Sequence, residues 1–313
     1  MRALLLALLL VSPSCKSKPP LTTPVEAISV KIPPEVAEKE TTKTVRRVNR
    51  NVDLWQELLA QGKTTQAHSL RQSIARDVDE NFDAVATVAR EGEFTQLRNL
   101  AVKGLGFSRE RRADARALLD TLLGDPQLTI VQNAALSLGI LADPETDLTK
   151  LVALLAHGDA EVRTNAATAL AKLFRVRETP RDLTPEYQVA ADRLAAVLAD
   201  AKHARARRAA VFAFANLHHP HMLPFLIDAL EDEDVQVQIG ALYGLKELAD
   251  ERALEPLLRY LDGDPSEAGA SWAQEALTRI ALVSGLAKDA GELDGLGGKT
   301  QKWREWFEKA RAR

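Results

Sequence analysis

The chain has 313 residues and a formal net charge of −3, so it lacks the basic excess that usually accompanies nucleic-acid binding, and no nucleic-acid partner is predicted. Hydrophobic residues make up 46% and charged residues 27%, which is typical of a globular protein long enough to bury a sizeable core. The single cysteine excludes a disulfide framework within the chain and a cysteine-based metal cluster.

The first residues have the pattern of an export signal. Met1 and Arg2 form a short positive region, and the apolar run 3–11 follows it. This run is far shorter than the roughly 20 residues that a membrane-spanning helix needs, but it matches the apolar region of a secretory signal. Residues 1–14 are therefore predicted to be a signal peptide.

The end of this segment resembles a bacterial lipoprotein signal, because Ser14 precedes the only cysteine, Cys15. Ser12 and Pro13 depart from the usual pattern of that signal. The resemblance implies that Cys15 is lipidated and that the exported chain is lipid-anchored to a membrane of the cell envelope, facing the periplasm or the outside. The alternatives are an ordinary cleaved signal and an apolar start without a role in export.

Residues 15–47 are predicted to form a disordered tether. Five prolines remove amide donors and interrupt helices: Pro19, Pro20, Pro24, Pro33 and Pro34. Residues 48–92 regain a helical pattern, with Leu54, Trp55 and Leu58 on one face, and are predicted to form an N-terminal helical cap.

A repeat then runs through the chain. Six alanines recur at spacings of 33, 32, 44, 31 and 32 residues: Ala101, Ala134, Ala166, Ala210, Ala241 and Ala273. Each is followed by a small residue three positions later and by a large apolar residue four positions later, which is one face of an α-helix. Leucine-rich segments lie between these helices. The pattern predicts stacked helix pairs over 93–284.

The segment 159–170, Asp-Ala-Glu-Val-Arg-Thr-Asn-Ala-Ala-Thr-Ala-Leu, resembles the signature of HEAT-like repeats of the short class named for phycobilin lyases. The resemblance implies an all-α fold, an α-solenoid (superhelix) of antiparallel helix pairs that is HEAT/armadillo-like. Arg163 matches the arginine of the family's pattern. Val131, Gln238 and Ala270 occupy that position elsewhere, so an unbroken ladder of Asp–Arg pairs is not expected.

Two further segments stand out. The 44-residue step contains an insertion within 175–188, which is interpreted as a surface insertion, with a functional loop as the alternative. Residues 285–313 are predicted to form a C-terminal capping helix, because Trp303, Trp306 and Phe307 share one helical face and a solenoid must cover its last core layer. The alternative is that this helix anchors the chain to a membrane or a partner.

No catalytic site and no cofactor are predicted. The cluster His218, His219 and His221 lies in a turn between helices, and no second cluster completes a metal site. The chain contains no His-Glu dipeptide, the pair through which the HEAT-like deoxyhypusine hydroxylases bind iron, and no Gly-x-Ser-x-Gly elbow. The alternative is a cofactor- or metal-handling enzyme, or a lyase-like HEAT protein, that uses the histidine cluster or the insertion.

The predicted function is a non-catalytic protein-binding scaffold or adaptor in the cell envelope, whose protein partner the sequence does not identify. In a HEAT-type solenoid the second helices of the pairs line the concave side, and positions two before, two after and six after each repeat alanine face away from the core. Eight such positions are predicted to bind protein: Leu136, Ile140, Thr168, Arg208, Phe212, Ile239, Tyr243 and Glu275. The alternative is that these residues pack between neighbouring helices.

Overall fold

A computed structural model describes residues 40–177 and 182–312. The predicted signal peptide, Cys15 and the tether up to residue 39 lie outside the described residues. Within the described part, every regular element is a helix. None of these helices is both long and apolar enough to cross a membrane.

Six helix pairs form the body of the molecule. Two helices, α1 (Glu40–Ala60) and α2 (Thr64–Glu80), precede the pairs. The first helices of the pairs are α3 (Phe82–Glu91), α5 (Arg112–Leu122), α7 (Thr149–Leu154), α9 (Pro185–Leu198), α11 (Leu223–Asp228) and α13 (Leu254–Asp262). The second helices are α4 (Thr95–Leu105), α6 (Leu128–Leu141), α8 (Ala160–Val176), α10 (Ala204–Leu217), α12 (Val235–Leu248) and α14 (Glu267–Val283). The helix α15 (Thr300–Arg311) ends the chain. The all-α solenoid of antiparallel helix pairs is confirmed.

The repeat alanines lie where the periodicity places them, at the centre of the stack. All six are at most 1% exposed. The small residues near them allow close approach: a Cβ added at Gly139 would lie 2.8 Å from the Cα of Ala169 on the next second helix. Neighbouring second helices therefore pack almost backbone to backbone.

This close packing bends the stack. Each second helix contacts the next one extensively, whereas neighbouring first helices contact each other little. Because one layer is spaced more tightly than the other, the solenoid curves toward the tighter layer. The second helices accordingly line the concave side.

Acidic turns begin several second helices. Asp159 Oδ1 accepts the backbone amide of Val162 at 2.9 Å, and Asp234 Oδ1 accepts that of Gln236 at 2.8 Å. Each carboxylate satisfies a free amide and lies at the positive end of the helix dipole. The start of each of these two helices is thus specified locally.

Arginine–aspartate pairs join some neighbouring repeats. Arg163 Nη2 lies 2.5 Å from Asp200 Oδ2, and Arg207 Nε lies 2.8 Å from Asp232 Oδ2. Arg98 pairs with Asp125 in the same way. The corresponding positions of α6, α12 and α14 hold no arginine, so the ladder is interrupted, as the sequence predicts.

The N-terminal boundary differs from the prediction. Helix α1 begins at Glu40, so residues 40–47, which their composition assigns to the tether, are helical. Val45, Val48 and Val52 recur at helical spacing and are all at most 2% exposed. Their burial stabilises the helix. The polar residues between them give the segment the overall composition of a tether.

The repeats also begin earlier than residue 93. Helix α3 packs against α4 as the first helix of a pair, so the repeated units start at Phe82. The predicted cap, 48–92, therefore contains both the main part of the α1–α2 hairpin and a genuine repeat helix.

The C-terminal helix covers the end of the stack. Trp303 and Phe307 are 2% and 5% exposed, and their rings stack with centroids 5.5 Å apart. Arg304 Nη2 lies 2.8 Å from Asp262 Oδ2 at the end of α13. The aromatic face of α15 is buried, as expected of a cap.

Candidate binding groove

The first part of the concave surface is covered by the chain itself. Trp55 of α1 and Ile74 of α2 form a second hydrophobic cluster with Phe107 and Ile140, and Leu136 packs against it. The rings of Trp55 and Phe107 meet edge to face at 5.2 Å. Ile140 is 8% exposed. Helices α1 and α2 thus occupy the groove at α4 and α6.

This arrangement corrects two of the predicted binding residues. Ile140 is a core residue, and Leu136 is partly covered, because the apolar faces of α1 and α2 need a partner and find it here. Ile239, at 4% exposure, is also core. Helices α10 and α12 approach each other closely at the adjacent Gly240, where an added Cβ would lie 2.5 Å from Cγ1 of Val211.

Three other predicted binding residues form hydrogen bonds or ion pairs with neighbouring residues of the solenoid. The Thr168 hydroxyl donates to the carbonyl oxygen of Thr164 at 2.8 Å. Arg208 Nη2 lies 3.3 Å from Asp234 Oδ1, and Glu275 Oε2 lies 2.7 Å from Lys246 Nζ. Thr168 and Arg208 are half-buried, and only Glu275 is exposed.

The remaining two, Phe212 and Tyr243, belong to a row of aromatic side chains. We call Phe212, Tyr243 and Trp272 the aromatic row. Their ring centroids are 6.3 Å and 6.2 Å apart in succession, so the row crosses α10, α12 and α14. All three side chains are half-buried. Trp272 was missed by the offset rule, since it lies one residue before Ala273.

Charged groups border the aromatic row. Lys246 Nζ lies 4.8 Å from the centroid of Trp272, a cation–π contact. Arg279 Nη2 lies 3.7 Å from Glu247 Oε2. Burial, followed by the charge of Glu247, raises the pKa of Tyr243, so its hydroxyl stays protonated and can donate a hydrogen bond.

Three cations of α2 and α8 lie close enough together to act on one another's ionisation. We call Arg71, Lys172 and Arg175 the cationic cluster. Arg71 Nη2 donates to the carbonyl oxygen of Ile140 at 2.9 Å, and the carbon of its guanidinium lies 5.9 Å from the centroid of the Trp55 ring. Burial and the nearby Arg71 and Arg175 lower the pKa of Lys172 to about 8. Lys172 lies at an offset that the concave pattern includes, whereas no repeat offset identifies Arg71 or Arg175.

The histidine cluster has structural contacts. His218 ends α10 in a left-handed conformation, with φ of 50°. His219 is 6% exposed, and its Nδ1 accepts the backbone amide of His221 at 3.3 Å. No group of three or more His, Cys, Asp or Glu side chains suited to a metal ion occurs in 40–177 or 182–312.

The insertion is described except for residues 178–181. Arg177 Nε donates to the carbonyl oxygen of Pro144 at 2.9 Å, and Tyr187 packs against Phe174 with ring centroids 5.6 Å apart. Helix α9 begins at Pro185, whose missing amide costs nothing at a helix start. Both described ends of the insertion are held against the solenoid.

The profile of the family of HEAT repeats matches residues 82–173 and 191–278. No curated relative matches the sequence. The fold is similar to that of an engineered protein, with 18% identity, a TM-score of 0.54 and coverage of 87% of this chain and 83% of that one. It is also similar to a designed armadillo repeat protein, with 21% identity, a TM-score of 0.50 and coverage of 63% and 98%.

A weaker likeness is to the complex of CpcE and CpcF of phycocyanin lyase from Nostoc sp. PCC7120, with 20% identity, a TM-score of 0.41 and coverage of 90% and 99%. At these identities the solved structures establish the fold alone. The likeness to the lyase complex is too low to support an argument about chemistry.

Proposed function

The chain belongs to the family of HEAT repeats, and we propose that it is a non-catalytic protein-binding scaffold that holds a partner against the aromatic row of its groove. The observation that carries this proposal is the row itself: Phe212, Tyr243 and Trp272 lie half-buried along three successive second helices.

The contrast between the two halves of the groove supports the proposal. At α4 and α6 the concave apolar residues are covered by α1 and α2. At α10 to α14 no helix of the described residues covers the aromatic row, so part of each ring surface remains exposed. Partly exposed aromatic side chains bordered by charged groups are typical of residues that contribute most to protein binding.

The geometry of the row suits an extended or helical segment of another protein. The three ring centroids lie 6.3 and 6.2 Å apart in succession, and the Lys246–Glu275 and Arg279–Glu247 pairs beside them offer hydrogen-bond donors and acceptors. An apolar side chain of the partner would pack against the rings while its backbone contacts these charged groups.

We also propose that the scaffold is exported and held on a membrane of the cell envelope through a lipidated Cys15. The apolar run 3–11 and the single cysteine directly after Ser14 support this location. A multiply acylated cysteine would anchor the chain firmly, whereas a single acyl chain would not. Cys15→Ser should shift the protein from the membrane to the soluble fraction, and an unchanged membrane fraction would show that Cys15 is not the anchor.

Site-specific photo-crosslinking tests the binding groove. Full-length protein carrying p-benzoylphenylalanine in place of Tyr243 is irradiated in cells, and the same residue is placed at Ala196, an exposed position of the first helix α9. We expect a discrete adduct with a partner protein from position 243 and none from position 196. Adducts from position 196 alone, or from neither position, would count against a concave binding site.

Alanine substitution separates binding from folding. Phe212→Ala and Tyr243→Ala should each weaken capture of the crosslinked partner by more than 1 kcal/mol, or about fivefold, with a small change in melting temperature. Phe225→Ala is the matched control, because Phe225 belongs to the outer helix α11 and its ring stacks on that of Phe214, with the two centroids 5.0 Å apart. It should lower stability and leave capture by the folded fraction unchanged. Equal losses of capture in all three variants would contradict the proposal.

A further inference from the structure

The cationic cluster lacks the counter-charges that accompany the other basic side chains of the concave layer. Arg98, Arg163 and Arg207 all pair with aspartates of the next turn. Lys246 and Arg279 pair with glutamates of neighbouring second helices. Arg71, Lys172 and Arg175, in contrast, form no ion pair with any residue of 40–177 or 182–312.

The structure holds two of these cations in place. The guanidinium of Arg71 is fixed by its bond to the carbonyl oxygen of Ile140 and lies about equally far from the rings of Trp55 and Phe107, at 5.9 and 6.0 Å. Its Nε is buried without a hydrogen-bond partner in the described residues. The side chain of Lys172 crosses α6 at Gly139, where an added Cβ would lie 3.4 Å from its Cδ. Both groups are therefore positioned before any ligand arrives.

Like charges crowd this site. The pKa of Arg71 is lowered to about 10 by burial and then by Arg109, Arg175 and Arg112. Asp79, whose charge raises the pKa of Arg109, accepts hydrogen bonds from the hydroxyl of Ser108 and from the backbone amides of Arg109 and Glu110. Solvent and salt screen the repulsion between positive charges poorly in a partly buried site. A bound anion would therefore reduce the repulsion among these cations.

The cluster lies next to the aromatic row. Helix α8 packs directly beside α10, and Lys172 and Phe212 lie at concave offsets of these two neighbouring helices. Arg175, at the end of α8, also acts on the ionisation of Tyr243. A chain that contacts the row can therefore reach the cluster without leaving the groove.

We propose that Arg71, Lys172 and Arg175 bind the carboxylates of an acidic segment of the partner protein, which continues from there along the aromatic row. This inference rests on the proposed function and names the chemistry of the partner. Carboxylates suit the cluster because Arg71 and Arg175 offer planar donors and Lys172 a point charge. Nucleic acid suits the groove less well, because its phosphates repeat along the whole strand and would meet Glu247 and Glu275 beside the aromatic row, whereas a peptide can carry apolar side chains there.

Binding of a fluorescein-labelled hexaglutamate peptide to the full chain, followed by anisotropy at low ionic strength, tests the site. Lys172→Gln and Arg175→Gln should each weaken binding about five- to tenfold. Neither should unfold the protein, because each removes a charge from a repulsive group. Lys150→Gln is the matched control: it removes the same charge from the outer helix α7, where Lys150 pairs with Asp120. It should change the dissociation constant less than twofold.

Several results would overturn the proposal. Hexaglutamate that does not bind, or that binds the double variant Lys172→Gln/Arg175→Gln as it binds the wild type, excludes the site. Tighter binding of inorganic pyrophosphate or of a hexathymidine oligonucleotide than of hexaglutamate would assign the cluster to phosphates. If crosslinking at position 243 still captures a partner in any of these cases, the scaffold function survives and only its acidic ligand is rejected.

Discussion

At the scale of single residues, Lys172 allows the effect of one partly buried positive charge on the stability of the fold to be measured. Its pKa is lowered from 10.5 to about 8 in the folded chain, so between these values the unfolded chain binds more protons and stability rises with pH. Lys172→Met should therefore stabilise the protein most at or below pH 8, where the native lysine is charged. The advantage should shrink as pH rises toward 10.5.

The measurement is chemical denaturation of wild type and variant at pH 7, 8, 9 and 10. Lys150→Met, on the outer surface, serves as the control for loss of one positive charge. A stability difference for Lys172→Met that stays constant across this range would show that the native environment does not perturb the lysine.

At the scale of elements, the helix faces were predictable and some boundaries were not. The rows of alanine and leucine define six second helices, and aspartates such as Asp159 and Asp234 define helix starts. The start of α1 was missed because Lys43, Arg46 and Arg47 give the segment a polar composition. The spacing of Val45, Val48 and Val52 was the signal that could have shown it.

The close contact between α6 and α8 at Gly139 can be tested by a single substitution. Gly139→Ala places a methyl group 2.8 Å from the Cα of Ala169, which belongs to backbone and cannot turn away. Overpacking of this kind costs about 1–3 kcal/mol, while the gain in helix propensity is about 1 kcal/mol. We expect a net loss of stability.

Gly158→Ala is the matched control, since nothing lies within 4 Å of its added Cβ. It should be neutral or slightly stabilising. The measurement is the melting temperature of the two variants. Equal melting temperatures would mean that α6 and α8 are not in close contact at Gly139.

At the scale of the whole molecule, the helix pairs of the described solenoid contact mainly their neighbours, so damage should stay local. Trp55→Ala removes the side chain that joins α1 to Phe107. Amide hydrogen exchange should accelerate in α1, α2 and α4 and stay unchanged in α12 and α14. Trp306→Ala, at the opposite cap, should give the reverse pattern. Uniform acceleration in both variants would show that the solenoid unfolds as one unit.

The order and number of the repeats were predictable because each one has its own local pattern. The return of α1 and α2 onto the concave side was not. Their apolar faces, which include Trp55, Ile74 and Val78, predict burial but do not identify the surface that buries them. As a result, the sequence could locate the aromatic row but not the limit of the groove.

The blocked end gives the groove a fixed starting point for a bound chain. Because α1 and α2 block the concave surface at α4 and α6, an acidic group bound by Lys172 marks a fixed origin, and Trp272 lies three second helices further on. One step of about 9 Å from α8 to α10 and the two ring spacings of 6.3 and 6.2 Å make roughly 21 Å, which an extended chain spans with about six residues. Synthetic peptides with a glutamate and a phenylalanine about six residues apart should therefore compete best, and those with the two side chains about three or about twelve residues apart should compete poorly. The protein would in this way select ligands by the distance between two side chains as well as by their chemistry.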